Sequence, residues 1–421
     1  MAKLALILMF MMVCLCGFSL GGNMIQSTTI PLQHFNFTDI SSIELFCIEE
    51  NGVPMTALII ETQGSITVPG SDLLYINSSW TDLKYGDLLN AFVKDEHLYV
   101  VRHKFESDEI IIHRIQQSGG LVSAICIKGT LAEQFVPGAI KNVIPVQGQN
   151  NSYYLLTARW VLPAHPGEFL RTVLSAGHGI YYVKPILIEV QDGKLSKPRK
   201  LRYGGKIDES FYIKEVVSCD NLVHFLGFRH PEVHGAREKR PAETLHHVAY
   251  DLKKKKVTQA NSIYTDTPRV IEESDKWINC FYRDISMDAA GDNVFVAFSW
   301  EKSYTTKIQK DEYHESSIFY WDYNQGKAGE VEKIADGFHP LVKADSLGNV
   351  HLLYINDKAN LMHKVERKGI WQKEDVLVDR VDVKDGKLFL TSFAAAFDKD
   401  NNLHVVYPSG GNLVHAVVKV N

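Results

Sequence analysis

Three stretches of this chain gather the side chains that do polar chemistry. The first, Phe228-Arg229-His230-Pro231-Glu232-Val233-His234-Gly235-Ala236-Arg237-Glu238-Lys239-Arg240-Pro241, alternates cations with imidazoles and carboxylates. The second, Tyr282-Arg283-Asp284, sets a phenol, a guanidinium and a carboxylate in a row, and the third opens with Trp300-Glu301 and runs on to Glu315. Arg159-Trp160 and Phe338-His339-Pro340 add to the same chemistry. Arginine forks match carboxylate and sulfate geometry, aromatic rings stack on apolar ring faces, and carboxylates accept from hydroxyls. The mixture suits a polyhydroxylated ligand bearing acid groups, a uronate, sulfate or sialate. The binding candidates are Arg159, Trp160, Arg229, His230, Tyr282, Arg283, Asp284, Trp300, Glu301 and His339.

The same residues offer two catalytic alternatives. A lyase needs a base, an acid and a cation that neutralises a uronate, for which His230, Tyr282 and Arg283 are available. A glycosidase needs two carboxylates about 5 to 9 Å apart, drawn from Glu232, Asp284, Glu301 and Glu312. No Cys-x-x-Cys, His-Glu-x-x-His, Gly-rich phosphate loop or Gly-x-Ser-x-Gly elbow occurs, so the sequence supports neither a zinc site nor a serine hydrolase, and no cofactor is expected. His224, His351 and His404 hold one place in a repeat and are expected to be structural. His246 and His247 are neighbours in a strand and point to opposite faces. The run Lys253 to Lys256 reads as a solvated turn.

The elements that carry these residues come from an internal repeat. Val342-Lys343-Ala344-Asp345-Ser346-Leu347-Gly348-Asn349-Val350-His351-Leu352-Leu353-Tyr354 returns as Ala394-Ala395-Ala396-Phe397-Asp398-Lys399-Asp400-Asn401-Asn402-Leu403-His404-Val405-Val406-Tyr407. Looser copies lie around Asp288 and Asp220, so the Asp residues at 220, 288, 345 and 398 are 68, 57 and 53 residues apart. That spacing fits a four-stranded propeller blade of about 40 to 50 residues with loop insertions. The helical signal is poor throughout, with no window holding three-and-four apolar spacing for long, while two-residue alternation recurs. The chain is therefore expected to be all-β, a propeller of four-stranded blades. Seven blades fit best, with six or eight open, in units near 41–88, 89–138, 139–208, 209–279, 280–336, 337–389 and 390–421. The last unit has three strands, and the run Ile30 to Phe37 is expected to supply its fourth and close the ring. The Asp and Gly residues of each turn are expected to cap backbone amides and accept left-handed conformations. The polar segments at 159–168, 229–240 and 300–314 are expected to be long loops on one face, framing a cleft with Arg283 at its floor.

These repeats resemble those of the sialidase-like superfamily, the Asp-box or BNR type, over about residues 209–421. The resemblance implies a propeller fold. It carries no catalytic assignment, because His113-Arg114-Ile115-Gln116 and Tyr282-Arg283-Asp284-Ile285 lack the Pro of that family's Arg segment and no arginine triad is evident.

Formal charge is −5 from 45 basic and 50 acidic residues, which gives no global attraction to nucleic acid or anionic lipid. Leu4 to Cys16 is almost wholly apolar behind Lys3, and Ser19 and Gly21 follow as small residues. This is read as a secretory signal peptide over 1–21, with an uncleaved anchor as the alternative, ahead of a single domain over 22–421. An exported carbohydrate-binding propeller follows, with a carbohydrate-active enzyme or a protein-binding propeller as alternatives. Cys47, Cys126, Cys219 and Cys280 permit two disulfides, but Cys126 and Cys219 lie in strand-like runs, and at least two of the four are expected as buried thiols. Sequons stand at Asn36, Asn77 and Asn150.

Overall fold

The computed structural model describes residues 23–32, 36–50, 52–62, 72–83, 87–104, 109–128, 140–146, 151–161, 182–201, 209–219, 221–231, 243–266, 269–272, 276–306, 312–384, 387–388 and 391–420. The expectations for the signal segment, Asp220 and most of the polar segments at 162–168 and 232–240 lie outside them. Seven antiparallel sheets follow one another in chain order. Blade one runs from Ile40 to Asp82, blade two from Asp87 to Lys128, blade three from Ile140 to Lys200 and blade four from Glu209 to Asp266. Blade five spans Arg269 to Asp336, blade six Phe338 to Val378, and blade seven Ala394 to Lys419. The ring is closed by an N-terminal strand, but that strand is Asn23–Ile30, paired with Asn412–Lys419, and not the run from Ile30. Ile30 is its last residue, and Pro31, which has no N–H to give a ladder, follows.

Apolar packing explains why the blades stay together. Seven hydrophobic clusters occur, and each fills the wedge between two neighbouring blades. One joins Ile59 and Leu74 of blade one to Val100 and Ile115 of blade two. Another joins Val406 and Leu413 of blade seven to Leu58 and Ile60 of blade one, so the seam of the closed ring is packed like the other wedges. Alternation along each middle strand supplies both wedges: Val350–Ile355 is buried at all six positions because both of its faces meet a neighbouring blade.

The innermost strands ring a central channel and leave one hydrogen-bonding edge unpaired. Side chains from neighbouring blades cover much of it. Ser286 Oγ accepts from Val342 N at 3.1 Å and the Asp288 carboxylate from Ala344 N at 2.8 Å. Asn90 both donates to Val143 O and accepts from Val143 N, at 3.1 and 3.0 Å. Asp288 thus bonds the next blade and does not cap its own turn, which differs from the expectation drawn from the repeat.

At Asp345 and Asp398 the turn assignment is met. Asp345 accepts from Leu347 N and Asn349 N and from the Asn349 side chain, at 2.9, 2.8 and 2.7 Å. Asp398 repeats this with Asp400 N, Asn402 N and the Asn402 side chain, at 2.9, 2.8 and 2.8 Å. Gly348 at φ +82° and Asn401 at φ +59° take the left-handed places these turns require. Cys47, Cys126 and Cys219 form no disulfide; Cys47 and Cys219 are half-buried, while Cys126 is exposed, against the expectation of a buried thiol there. No helix among the described residues is long and apolar enough to cross a membrane.

Candidate functional site

The face on which the innermost strands begin carries a recurrent irregularity. Six of these strands skip register in their pairing: between Ile40 and Ser42, Leu88 and Asn90, Ile140 and Asn142, Ile213 and Glu215, Tyr282 and Ile285, and Phe338 and Leu341. A bulge bends the strand and re-aims the extra residue. In the four consecutive blades three to six the extra residues include Lys141, Lys214, Arg283 with Asp284, and His339. A run of basic residue types is therefore set out of the ladder around one side of the channel mouth. Lys214 is exposed; the side chains of Lys141 and Arg283 lie outside the described set.

Asp284 and His339 meet across two blades. The carboxylate lies 3.1 Å from His339 Nδ1, at ion-pair distance though not aligned as a hydrogen bond, and His339 Nε2 lies 3.2 Å from Leu388 O. Asp284 N donates to Ser299 Oγ at 3.0 Å, which fixes the bulge from behind. His339 holds φ +53° beside Pro340, a left-handed conformation uncommon for a non-glycine residue. His339 thus bridges the bulge of blade five and the loop at Leu388.

The other predicted residues separate. Tyr282 is 8 % exposed and packs between Phe228 and Trp300, with ring centroids 5.0 and 4.7 Å away. Its hydroxyl points to Glu243 O and Tyr264 O, and burial pushes the phenol far up. Tyr282 is therefore a core residue, and Trp300 leans on the same cluster. Glu301 is fully buried, 3.5 Å from His314 Nδ1, so it too lies beneath the surface. Arg229 is half-buried and engaged by neighbours. Arg159, Trp160 and His230 are strand residues whose side chains lie outside the described set.

Most of the segment 300–314 is strand and not loop. Asn293–Thr306 has 14 residues and Glu312–Asn324 has 13, against 6 and 7 for Val350–Ile355 and Leu361–Arg367. At about 3.3 Å per residue, blade five extends by roughly 25 Å beyond blade six. It forms a strand-built wall beside the mouth, and Tyr282, Trp300 and Glu301 serve to stiffen it.

A second polar group lines the channel itself. Glu44, Glu215 and Lys343 come from the innermost strands of blades one, four and six, spaced around the ring. Burial pushes Glu215 up to about 7; Lys343 pulls it down and Glu44 pushes it further up. Its surroundings likewise raise Glu44 to about 7, with Glu61 adding and Lys343 opposing, although the Glu44 side chain is exposed along the channel, which makes its push weaker than that on Glu215. Carboxyls raised toward neutrality have the property that acid–base chemistry requires. Neither was singled out from the sequence. The available signal is a charged residue in mid-strand, as in Ser42-Ile43-Glu44-Leu45 and Ile213-Lys214-Glu215-Val216, at the strand of a blade that has no outer neighbour to hide it from the channel.

At the other end of the blades, His224, His351 and His404 are structural as expected, but each has an imidazole partner that the repeat did not reveal. His351 Nδ1 faces His363 Nε2 at 2.9 Å, His404 faces His415 at 3.0 Å and His224 faces His247 at 3.0 Å, all with stacked rings. Asp345 and Asp398 close two of these ladders at 3.4 and 3.2 Å from the Nε2 atoms of His351 and His404. His246 turns the opposite way, toward Ser262. Among the described residues no group of three or more His, Cys, Asp or Glu side chains could hold a metal ion.

No family model matches the chain, and no curated protein matches it. Among solved structures it is similar to the polysaccharide lyase Uly1, at 9 % identity over 90 % of each chain with a TM-score of 0.47. It is also similar to the α-L-arabinofuranosidase Arb93A from Fusarium graminearum, at 7 % identity over 96 % of this chain and 98 % of that one, with a TM-score of 0.36. The extracellular region of plexin A4 is matched at 9 % identity over 91 % of this chain and 40 % of that one, with a TM-score of 0.44. At identities and scores this low the likenesses carry no argument, and the propeller rests on the strand pairing of the chain itself.

Proposed function

We propose that this chain is an exported propeller that binds an acidic glycan at the channel mouth, against the wall of blade five. The observation that supports this is the run of Lys141, Lys214, Arg283 and His339 at the bulges of four consecutive innermost strands. Basic residue types set out of a sheet ladder around one opening favour a ligand with several acid groups. The Asp284–His339 pair holds the two bulges of blades five and six in register and leaves the Asp284 side chain 29 % exposed to accept from a sugar hydroxyl. Calorimetry of the purified chain with oligogalacturonate and with a neutral oligosaccharide of equal length tests the reading. Binding is expected for the acidic ligand, and Lys214→Glu or Arg283→Ala should weaken it by about 1.5 to 3 kcal/mol, the value of a charge-assisted contact, with the melting temperature unchanged. Equal binding of both ligands, or none, contradicts it.

A second reading, a glycan-cleaving enzyme of the same architecture, is favoured by one observation: two carboxyls, Glu44 and Glu215, stand on innermost strands where burial raises both toward neutrality. It requires product release from polyuronates or other polysaccharides that disappears in Glu215→Gln. Binding without turnover leaves the first reading alone.

A further inference from the structure

On the outer flank of the ring, away from the channel, a cavity of about 630 Å3 opens between blades three and four. It exists because the fourth strand of blade three is broken into two short pieces, Lys194–Leu195 and Arg199–Lys200, whereas its neighbour Lys256–Asp266 is continuous. Arg199, Lys200, Lys255 and Lys256 line the cavity. Of these, Lys255 pairs with Glu189 at 2.8 Å and Arg199 approaches the same carboxylate at 4.0 Å. Lys200 and Lys256 are exposed and have no acidic partner among the described residues. Two of the four cations thus share one carboxylate and two have none, in a protein whose net charge is −5.

The wall of the same cavity holds an unsatisfied group. Tyr250 is 3 % exposed, and its hydroxyl has no hydrogen-bond partner. The Arg199 guanidinium is near enough to act on the phenol but is not aligned to donate to it. A buried hydroxyl without an acceptor, beside lysines without acids, has the composition of an anion site. The volume falls within the range of about 300 to 1,000 Å3 typical of ligand pockets, far larger than one sulfate requires. No aromatic face is available for base stacking, since the Tyr250 ring is buried.

We propose that this flank groove is a second binding site, which takes the sulfate or carboxylate groups of an acidic polysaccharide through Lys200, Lys256 and the Tyr250 hydroxyl. It shares no residue with the channel mouth and does not depend on the reading given for it. The run Lys253 to Lys256 is an exposed turn as expected, and Lys255 extends from it and is tied to the adjoining blade by Glu189.

The test is calorimetric titration with dextran sulfate, neutral dextran, inorganic sulfate and single-stranded DNA, run in the native chain and in a Lys214→Glu background that weakens the mouth. Lys200→Glu combined with Lys256→Glu should lower dextran sulfate affinity at least tenfold in both backgrounds. Tyr250→Phe should lower it about threefold. Lys327→Glu combined with Lys358→Glu, the same charge change elsewhere, should stay within twofold, and all variants should melt as the native chain does. The proposal is overturned if the groove variant binds within twofold of that control. It is overturned equally if inorganic sulfate binds as tightly as dextran sulfate, or if DNA binds more tightly.

Discussion

Replacing the His351–His363 ladder with a pair of phenylalanines should make the protein less sensitive to acid. In the folded chain the Asp345 carboxylate accepts from His351 Nε2, so His351 Nδ1 is left to accept from His363 Nε2. One proton fills the contact between the rings, and a second would set two N–H groups against each other. Burial holds the ring of His363 down to about 3, with His351 and Arg367 adding, and burial also lowers His351 against the pull of Asp345. An unfolded histidine titrates near 6.5, so below that pH the unfolded chain binds protons that the folded chain excludes, and stability falls as pH falls. Between pH 6.5 and 5 the loss is about 1.36 kcal/mol per pH unit, or about 2 kcal/mol for His363 alone, with His351 adding in the same direction. Elevated carboxyls such as Glu215 act oppositely, because protons they retain in the fold stabilise it as pH drops, so the wild-type slope alone does not isolate the ladder. The difference between variant and wild type does. Urea unfolding at pH 7 and pH 5 should show the His351→Phe/His363→Phe chain losing at least about 2 kcal/mol less than the native chain over that interval. Equal losses would refute the neutral-ladder argument.

Two further substitutions test the scaffold. Asp398→Ala removes the acceptor for two backbone amides, the Asn402 side chain and His404, and should cost about 2 kcal/mol, the upper end for a lost cap, in denaturant unfolding while glycan affinity per folded molecule is unchanged. Gly227→Ala would place a methyl 2.3 Å from Tyr212 O and 2.9 Å from the Ile213 Cα, both backbone atoms at a bulge that cannot yield easily, and should cost about 3 kcal/mol by overpacking, read as a fall in melting temperature.

The propeller was legible because its turns repeat: the Asp and the left-handed Gly or Asn of the turns at Asp345 and Asp398 are required by local geometry, and local geometry leaves its mark on sequence. The histidine partners left a fainter mark: His363 and His415 each follow an apolar pair, Leu361-Met362 and Leu413-Val414, so the cue lay in comparing third strands as well as first hairpins. The site was only partly legible. Tyr282 and Glu301 look like ligands by type, but whether a strand residue faces a mouth or a wedge depends on the bulge at Tyr282 to Ile285, which the three-dimensional arrangement of blades decides. Likewise Trp300 to Thr306 alternates as a strand does, and its polar character misdirects toward a loop because blade five rises past its neighbours. Lys141, Lys214, Arg283 and His339 have no common sequence pattern; their relation appears only when the bulges of successive innermost strands are aligned.

A crystal structure of the chain with oligogalacturonate tests the central claim most directly. The account predicts ligand density at the channel mouth, with carboxylates within about 3 Å of Lys214 and the Arg283 guanidinium and the Asp284–His339 pair intact beside it. Density confined to the flank groove or to the opposite end of the channel, or an empty mouth in a crystal grown with saturating ligand, would contradict it.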